Sequence, residues 1–148
     1  MPPAPRPVPS PIVALVAWLV PGAGYWLVGQ RARGLTVGIT VLTLFVGGLW
    51  IGGLRVVEAP PMGTGGPLRY PLQVIQQRPW FIGQFLAGPI SLVPVIAKNS
   101  VPPGELAVRL PASHVRVNEI GTLYTAIAGM LNLLTIIDAA YRAGRGGK

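Results

Sequence analysis

Four stretches of the chain, residues 7–30, 34–54, 79–97 and 120–137, contain no Asp, Glu, Lys or Arg. Each is close to the roughly 20 apolar residues that carry a helix across a bilayer core of about 30 Å. The pattern predicts an all-α, polytopic integral membrane protein. Its helical membrane domain covers residues 12–141, with four transmembrane helices over about 12–28, 35–54, 81–97 and 120–137. Pro21 in the first span and Pro89 and Pro94 in the third remove backbone donors, so both spans are expected to be kinked or broken. The second span is the most regular, with Leu, Ile, Val and Phe dominant and Thr36, Thr40 and Thr43 able to bond back to their own helix. Gly34 and Gly38 lie one turn apart, as do Gly48 and Gly52, a spacing that lets a second helix approach closely.

The fourth span has two faces. Gly121, Thr125, Ala128, Asn132, Thr135 and Ala139 recur at steps of three and four, while Leu, Ile and Met occupy the other side. The small, polar side is expected to face protein. Residues 1–11 hold six prolines and read as a disordered tail. Arg55 to Arg78 and Lys98 to Glu119 read as polar loops, with Trp80 and Phe81 suited to the headgroup level. The segment 142–148 is a basic tail. Residues 12–24 also mimic a signal peptide, an apolar run followed by small residues, and cleavage is the competing reading of the first span.

Composition agrees with a bilayer. Hydrophobic residues make up 51% of the chain and charged ones 11%, where soluble domains carry about 25% charged residues. The net charge is +8, but the bases are scattered singly at the ends of apolar runs, which fits membrane anchoring and excludes a nucleic-acid face. The expected partners are therefore the lipid bilayer and a membrane protein partner or a second copy of the chain. With four spans, both termini share one side with Arg6, Arg55, Arg69, Arg78, Arg142, Arg145 and Lys148, against Arg31, Arg33, Lys98, Arg109 and Arg116. Seven to five favours both termini in the cytoplasm, while the compact Arg31–Arg33 hairpin argues the other way.

Candidate chemistry is sparse. The chain has no Cys and one His. His114, Glu105 and Glu119 lack metal-ligand spacing, and Ser10, Ser91, Ser100 and Ser113 lack a nucleophile context. No phosphate-binding glycine motif occurs, so neither cofactor, metal nor catalytic residues are assigned, and the expectation is a protein that is not an enzyme. Asp138 ends the fourth span four residues before Arg142, where a helical ion pair is available, and Asn132 is placed to bond a neighbouring helix.

The strongest local motif runs from Pro21-Gly22-Ala23-Gly24 to Gly29-Gln30-Arg31-Ala32-Arg33-Gly34. It resembles the opening hairpin of the two-transmembrane-helix domain family and of uncharacterised bacterial four-span membrane families. Gly121 to Ala139 is similar to the closing helix of one such family. Tyr25 departs from the His or Gln common in those families, and Leu27 from their Tyr. The resemblance implies a membrane fold and a cell-membrane location but no activity. Pro21, Gly22, Gly24, Gly29, Gly34, Asn132 and Asp138 are the structural candidates, and the leading expectation is a non-catalytic scaffold, assembly or accessory subunit, with a small transporter or channel component as the alternative.

Overall fold

The computed structural model describes residues 8–53, 56–57, 79–99 and 115–146. Among them the fold is all helical: α1 (Ser10–Leu19), α2 (Ala23–Leu27), α3 (Arg31–Gly52), α4 (Pro79–Phe85), a 3-10 turn (Pro89–Ser91), α5 (Leu92–Asn99) and α6 (Val115–Gly146). Most of the proline-rich tail, most of both polar loops, and His114 and Glu105 lie outside the described residues.

Among the described residues two helices are long and apolar enough to cross a membrane, α3 and residues 117–145 of α6, with mean hydropathies of 1.9 and 1.7. Of the kinked or broken forms expected for the other two apolar stretches, both take the broken one, each as two short helices. The first divides into α1 and α2 because Pro21 has no N–H and Gly22 takes φ 85°, a left-handed conformation that glycine alone adopts without strain. Ten residues in α1 rise only about 15 Å. The third stretch divides at Gly88, φ 97°, one residue before the expected Pro89.

The core is built on α6. Gly121, Thr125, Ala128, Asn132, Thr135 and Ala139 are all buried, while Leu123, Ile127, Met130, Leu134 and Ile137 are exposed. Helix α3 runs antiparallel along α6, and Gly48 and Gly121 meet so closely that a methyl group on Gly48 would lie 2.8 Å from the Gly121 carbonyl oxygen. Val41, Phe45, Ala87, Val95 and Ala128 pack together beside this crossing. The glycine pairs of α3 thus serve two partners: Gly48 and Gly52 receive α6, whereas Gly34 and Gly38 receive the Pro21–Gly22 turn.

Helices α1 and α4 lie end to end along α6. Helix α1 covers its C-terminal half, with Ser10 beside Gly144 and Val13 packed with Ala139 and Ala143. Helix α4 covers the N-terminal half, with Gly83 against Ala126 and Gly129. Helix α2 folds back on α1, since a methyl group on Gly24 would meet the Ala17 side chain at 2.7 Å.

This arrangement corrects one expectation. Four spans put the Arg31–Arg33 hairpin on the side opposite the C-terminal tail, yet Arg33 and Arg142 lie at the same end of the bundle, both close to Tyr25. The chain that leaves α1 turns back through α2 instead of continuing to the far end.

Candidate functional site

Two polar centres are built into the bundle. The first is the junction where the C-terminal ends of α1 and α4 meet. A helix end leaves carbonyl groups without intrahelical partners and carries the negative pole of the helix dipole, so two C-termini face to face need donors. Trp18 on α1 adds one to the Phe85 carbonyl: its indole N–H donates there at 3.2 Å, beside the Gly88 backbone N–H at 3.1 Å, and its ring lies 5.3 Å from the Phe85 ring. Asn132 supplies the next, donating from Nδ2 to the Leu86 carbonyl at 2.9 Å. Gly88 belongs to the same contact, because its Cα faces the Trp18 carbonyl with no room for a methyl group.

Next to Phe85 on α4, Gln84 is 1% exposed and donates from Nε2 to the Val56 carbonyl and to the Thr125 hydroxyl, both at 2.9 Å. The Thr125 hydroxyl donates in turn to the Thr122 carbonyl at 2.9 Å. Gln84 therefore ties together the exit of α3, helix α4 and helix α6. Thr135 donates to the Asn132 carbonyl at 2.8 Å. A buried polar group without a partner costs free energy, and each of these side chains has found one in its own chain.

The second centre lies at the end of the bundle that carries the start of α3 and the end of α6. Asp138 Oδ2 accepts from Arg142 Nε at 2.8 Å and from the Tyr25 hydroxyl at 2.7 Å. The Arg33 guanidinium lies 5.9 Å from the Tyr25 ring centroid, within cation–π range, and donates to Gln30 Oε1 at 3.1 Å. Asp138 and Arg142 make the i,i+4 pair that their spacing offers, while Tyr25 adds a contact across 113 positions of sequence.

The remaining candidates fall around these centres. Pro21, Gly22 and Gly34 form the contact between the α1–α2 turn and α3, and Gly24 lies between α1 and Ala139. Gly29 takes φ 81° and has open space around it, whereas Gly34 is an ordinary helical residue closed in by Trp26 and Gly22. Glu119 lies on the first turns of α6, away from both centres, and among the described residues no three His, Cys, Asp or Glu side chains gather. Sequence reasoning missed Gln84, Trp18 and Tyr25. Gln84 carried a usable signal, since a carboxamide inside a charge-free apolar stretch has to find a partner; the contacts of Trp18 and Tyr25 are long-range and had none.

Across the described residues these features define an all-helical architecture with two membrane-length helices and two short broken helices packed around the second of them. Residues 12–146 match the family of unknown function DUF6677, and the chain belongs to that family. No curated protein and no solved structure matches the chain.

Proposed function

We propose that this is a cell-membrane protein in which α3 and α6 cross the bilayer fully, while the α1–α2 hairpin enters from one side and α4 enters from the other until their tips meet. The reading is supported by the outward faces of both long helices. Leu35, Ile39, Leu42, Val46 and Trp50 on α3, and Leu123, Ile127, Met130, Leu134 and Ile137 on α6, are exposed, which water disfavours and lipid favours. It replaces four full spans by two crossings and two half-crossings. By chain order the twelve Lys and Arg then divide six to six, so their count no longer selects an orientation. Cytoplasmic termini are retained on a narrower ground: Arg31, Arg33, Arg142 and Arg145 belong to the ends of the crossing helices on that side.

Single-cysteine labelling tests the topology directly in a chain that has no cysteine of its own. Cysteines at Gln30 and at Lys148 should label from the same side of sealed vesicles. Labelling from opposite sides would restore four spans.

Within the membrane, we infer a non-catalytic scaffold, assembly or accessory subunit. The observation that carries this reading is the division of α3 into two faces. Its glycines at 34, 38, 48 and 52 are consumed inside the chain, while Thr36, Thr40, Thr43 and Gly47 form a second small-residue row turned away from the bundle. Thr36 and Thr40 bond back to their own helix, and a methyl group on Gly47 would meet nothing within 4 Å. Such a face admits a helix of another membrane protein or of a second copy. Purification in mild detergent should recover a stoichiometric companion or a homo-oligomer that Gly47→Leu disrupts. A monomer in both forms would sink the proposal.

The meeting of two broken helices inside the bundle favours one second reading, a small transporter or channel component, because discontinuous helices line substrate paths in transporters. Flux of a solute through proteoliposomes that depends on this chain would establish it.

A further inference from the structure

We propose that the Arg33–Arg142 centre binds the phosphate of an anionic phospholipid headgroup. The inference rests on the membrane placement of α3 and α6 and goes beyond the scaffold reading. Arg142 pairs with the Asp138 carboxylate and Arg33 stacks over the Tyr25 ring, whose hydroxyl donates to the same carboxylate, so two guanidinium groups share one carboxylate's neighbourhood and the centre carries an uncompensated positive charge. Asp138 is the acidic residue at this end among the described residues; Glu119 lies nineteen positions earlier on α6, about 28 Å along the helix.

Both arginines are held in place by bonds that spend only part of their donor set. Arg142 engages Asp138 through Nε, and its two terminal nitrogens make no hydrogen bond among the described residues. Arg33 engages Gln30 through one terminal nitrogen and rests over the Tyr25 ring, leaving its other N–H groups without a partner among the described residues. A guanidinium fixed by one edge presents the rest of its fork to an oxyanion, and phosphate accepts such a fork in bidentate fashion. The side chains that fix the arginines thus also preorganise them.

The depth of the centre selects the source of the phosphate. Trp26 and Tyr141 are more than half exposed at the same end of the bundle, and Arg145 lies 4.7 Å from the Tyr141 ring centroid. Aromatic rings of this kind settle at the headgroup level. Directly toward the middle of α6 from the centre, Leu134 and Ile137 are exposed and would face acyl chains. A molecule with a phosphate at one end and hydrocarbon at the other matches both.

The test uses the full chain in a neutral detergent, with melting followed by tryptophan fluorescence during titration with phosphatidylglycerol, phosphatidylcholine or inorganic phosphate. Phosphatidylglycerol should raise the melting temperature of the wild type more than phosphatidylcholine does. Arg33→Gln, and Arg142→Lys, which keeps the charge but loses the fork, should melt as the wild type without lipid and weaken the phosphatidylglycerol response by about tenfold in concentration. Arg31→Gln, which alters an exposed arginine outside the centre, should leave it unchanged. Equal responses to the two lipids, or equal losses in Arg31→Gln and Arg33→Gln, would overturn the site in favour of diffuse attraction. A full response to inorganic phosphate alone would support the phosphate site and assign it to a soluble ligand in place of a lipid. A chain that stays monodisperse in water without detergent would refute the membrane placement itself.

Discussion

Replacing Asn132 by leucine isolates the interaction that joins α4 to α6 at the junction. Asn132 is fully buried, so the change trades an amide for an apolar group of similar size and leaves the surrounding packing nearly filled. What it removes is the donor to the Leu86 carbonyl, 2.9 Å away. That carbonyl lies just past the end of α4, where no intrahelical N–H reaches it, and stranding a buried acceptor costs about 1–3 kcal/mol. Two effects reduce the figure. Leucine is better solvated by hydrocarbon than an amide is, and interhelical hydrogen bonds in membranes average only about 0.6 kcal/mol with a maximum near 1.7. The expectation is therefore a loss of about 1 kcal/mol. The bond from the Thr135 hydroxyl to Asn132 Oδ1, 3.3 Å, adds little, because that hydroxyl keeps the Asn132 carbonyl.

Amide hydrogen exchange over Leu86 to Ser91 reads the effect where it occurs. A loss of 1 kcal/mol should speed exchange there roughly fivefold and leave the middle of α3 unchanged. Ser91→Ala is the internal control at the same turn: the Ser91 hydroxyl donates to the Gly88 carbonyl at 2.8 Å, but the Ser91 backbone N–H bonds the same oxygen at 3.1 Å. The acceptor keeps a partner, so exchange should change less than twofold. If Ser91→Ala loosened the turn as much as Asn132→Leu, or if Asn132→Leu left exchange unaltered, the amide would not be what holds the junction.

The packing of α6 gives a paired test. Ala128→Leu should lower the detergent melting temperature by an amount consistent with about 1–3 kcal/mol of overpacking, because Ala128 is fully buried, while Met130→Leu at a position 52% exposed should be near neutral. Gly22→Ala should exceed about 2 kcal/mol, since it combines φ 85° with a methyl group driven into the Gly34 carbonyl; accumulation at wild-type level would refute the turn. Gly29→Ala carries the backbone strain alone, about 1 kcal/mol, and should melt above Gly34→Ala, which must displace the Trp26 ring and the Gly22 carbonyl.

The buried face of α6 was legible because it depends on one helix: residues at steps of three and four share a side whatever they pack against. The contacts of Gly48 and Gly52 were legible for the same reason. Tyr25 was not. Its value lies in reaching Asp138, and nothing local distinguishes a tyrosine with a carboxylate partner from one facing headgroups. Gln84 falls between the two cases. Its need for a partner is visible in the sequence, but whether Val56, Thr125 or lipid-level water meets that need depends on how α4 is inclined against α6.

How each charge-free stretch divides into helices was the least legible feature, and the reason is physical. A charge-free run of about twenty residues satisfies a bilayer equally well as one helix of about 30 Å or as two short helices folded back on each other, because both keep apolar side chains toward lipid. What separates them is the backbone. One continuous helix closes its own hydrogen bonds, whereas a hairpin strands carbonyls at its tip, and those must be met from elsewhere. The first stretch carries Pro21 and Gly22 near its centre, and the third carries Gly88 and Pro89 near its own. At the second break, Asn132 on α6 answers the Leu86 carbonyl, and Trp18 on α1 adds a second donor to the Phe85 carbonyl that the Gly88 N–H already meets. The two interruptions, separated by more than sixty residues, therefore form one structure: α1 contributes a donor to the tip of α4, and α4 presents Gly88 so that the α1 carbonyls can approach. Either break alone points to a kink, and only the two together, with a carboxamide opposite them on α6, specify a pair of half-length helices meeting inside the bundle.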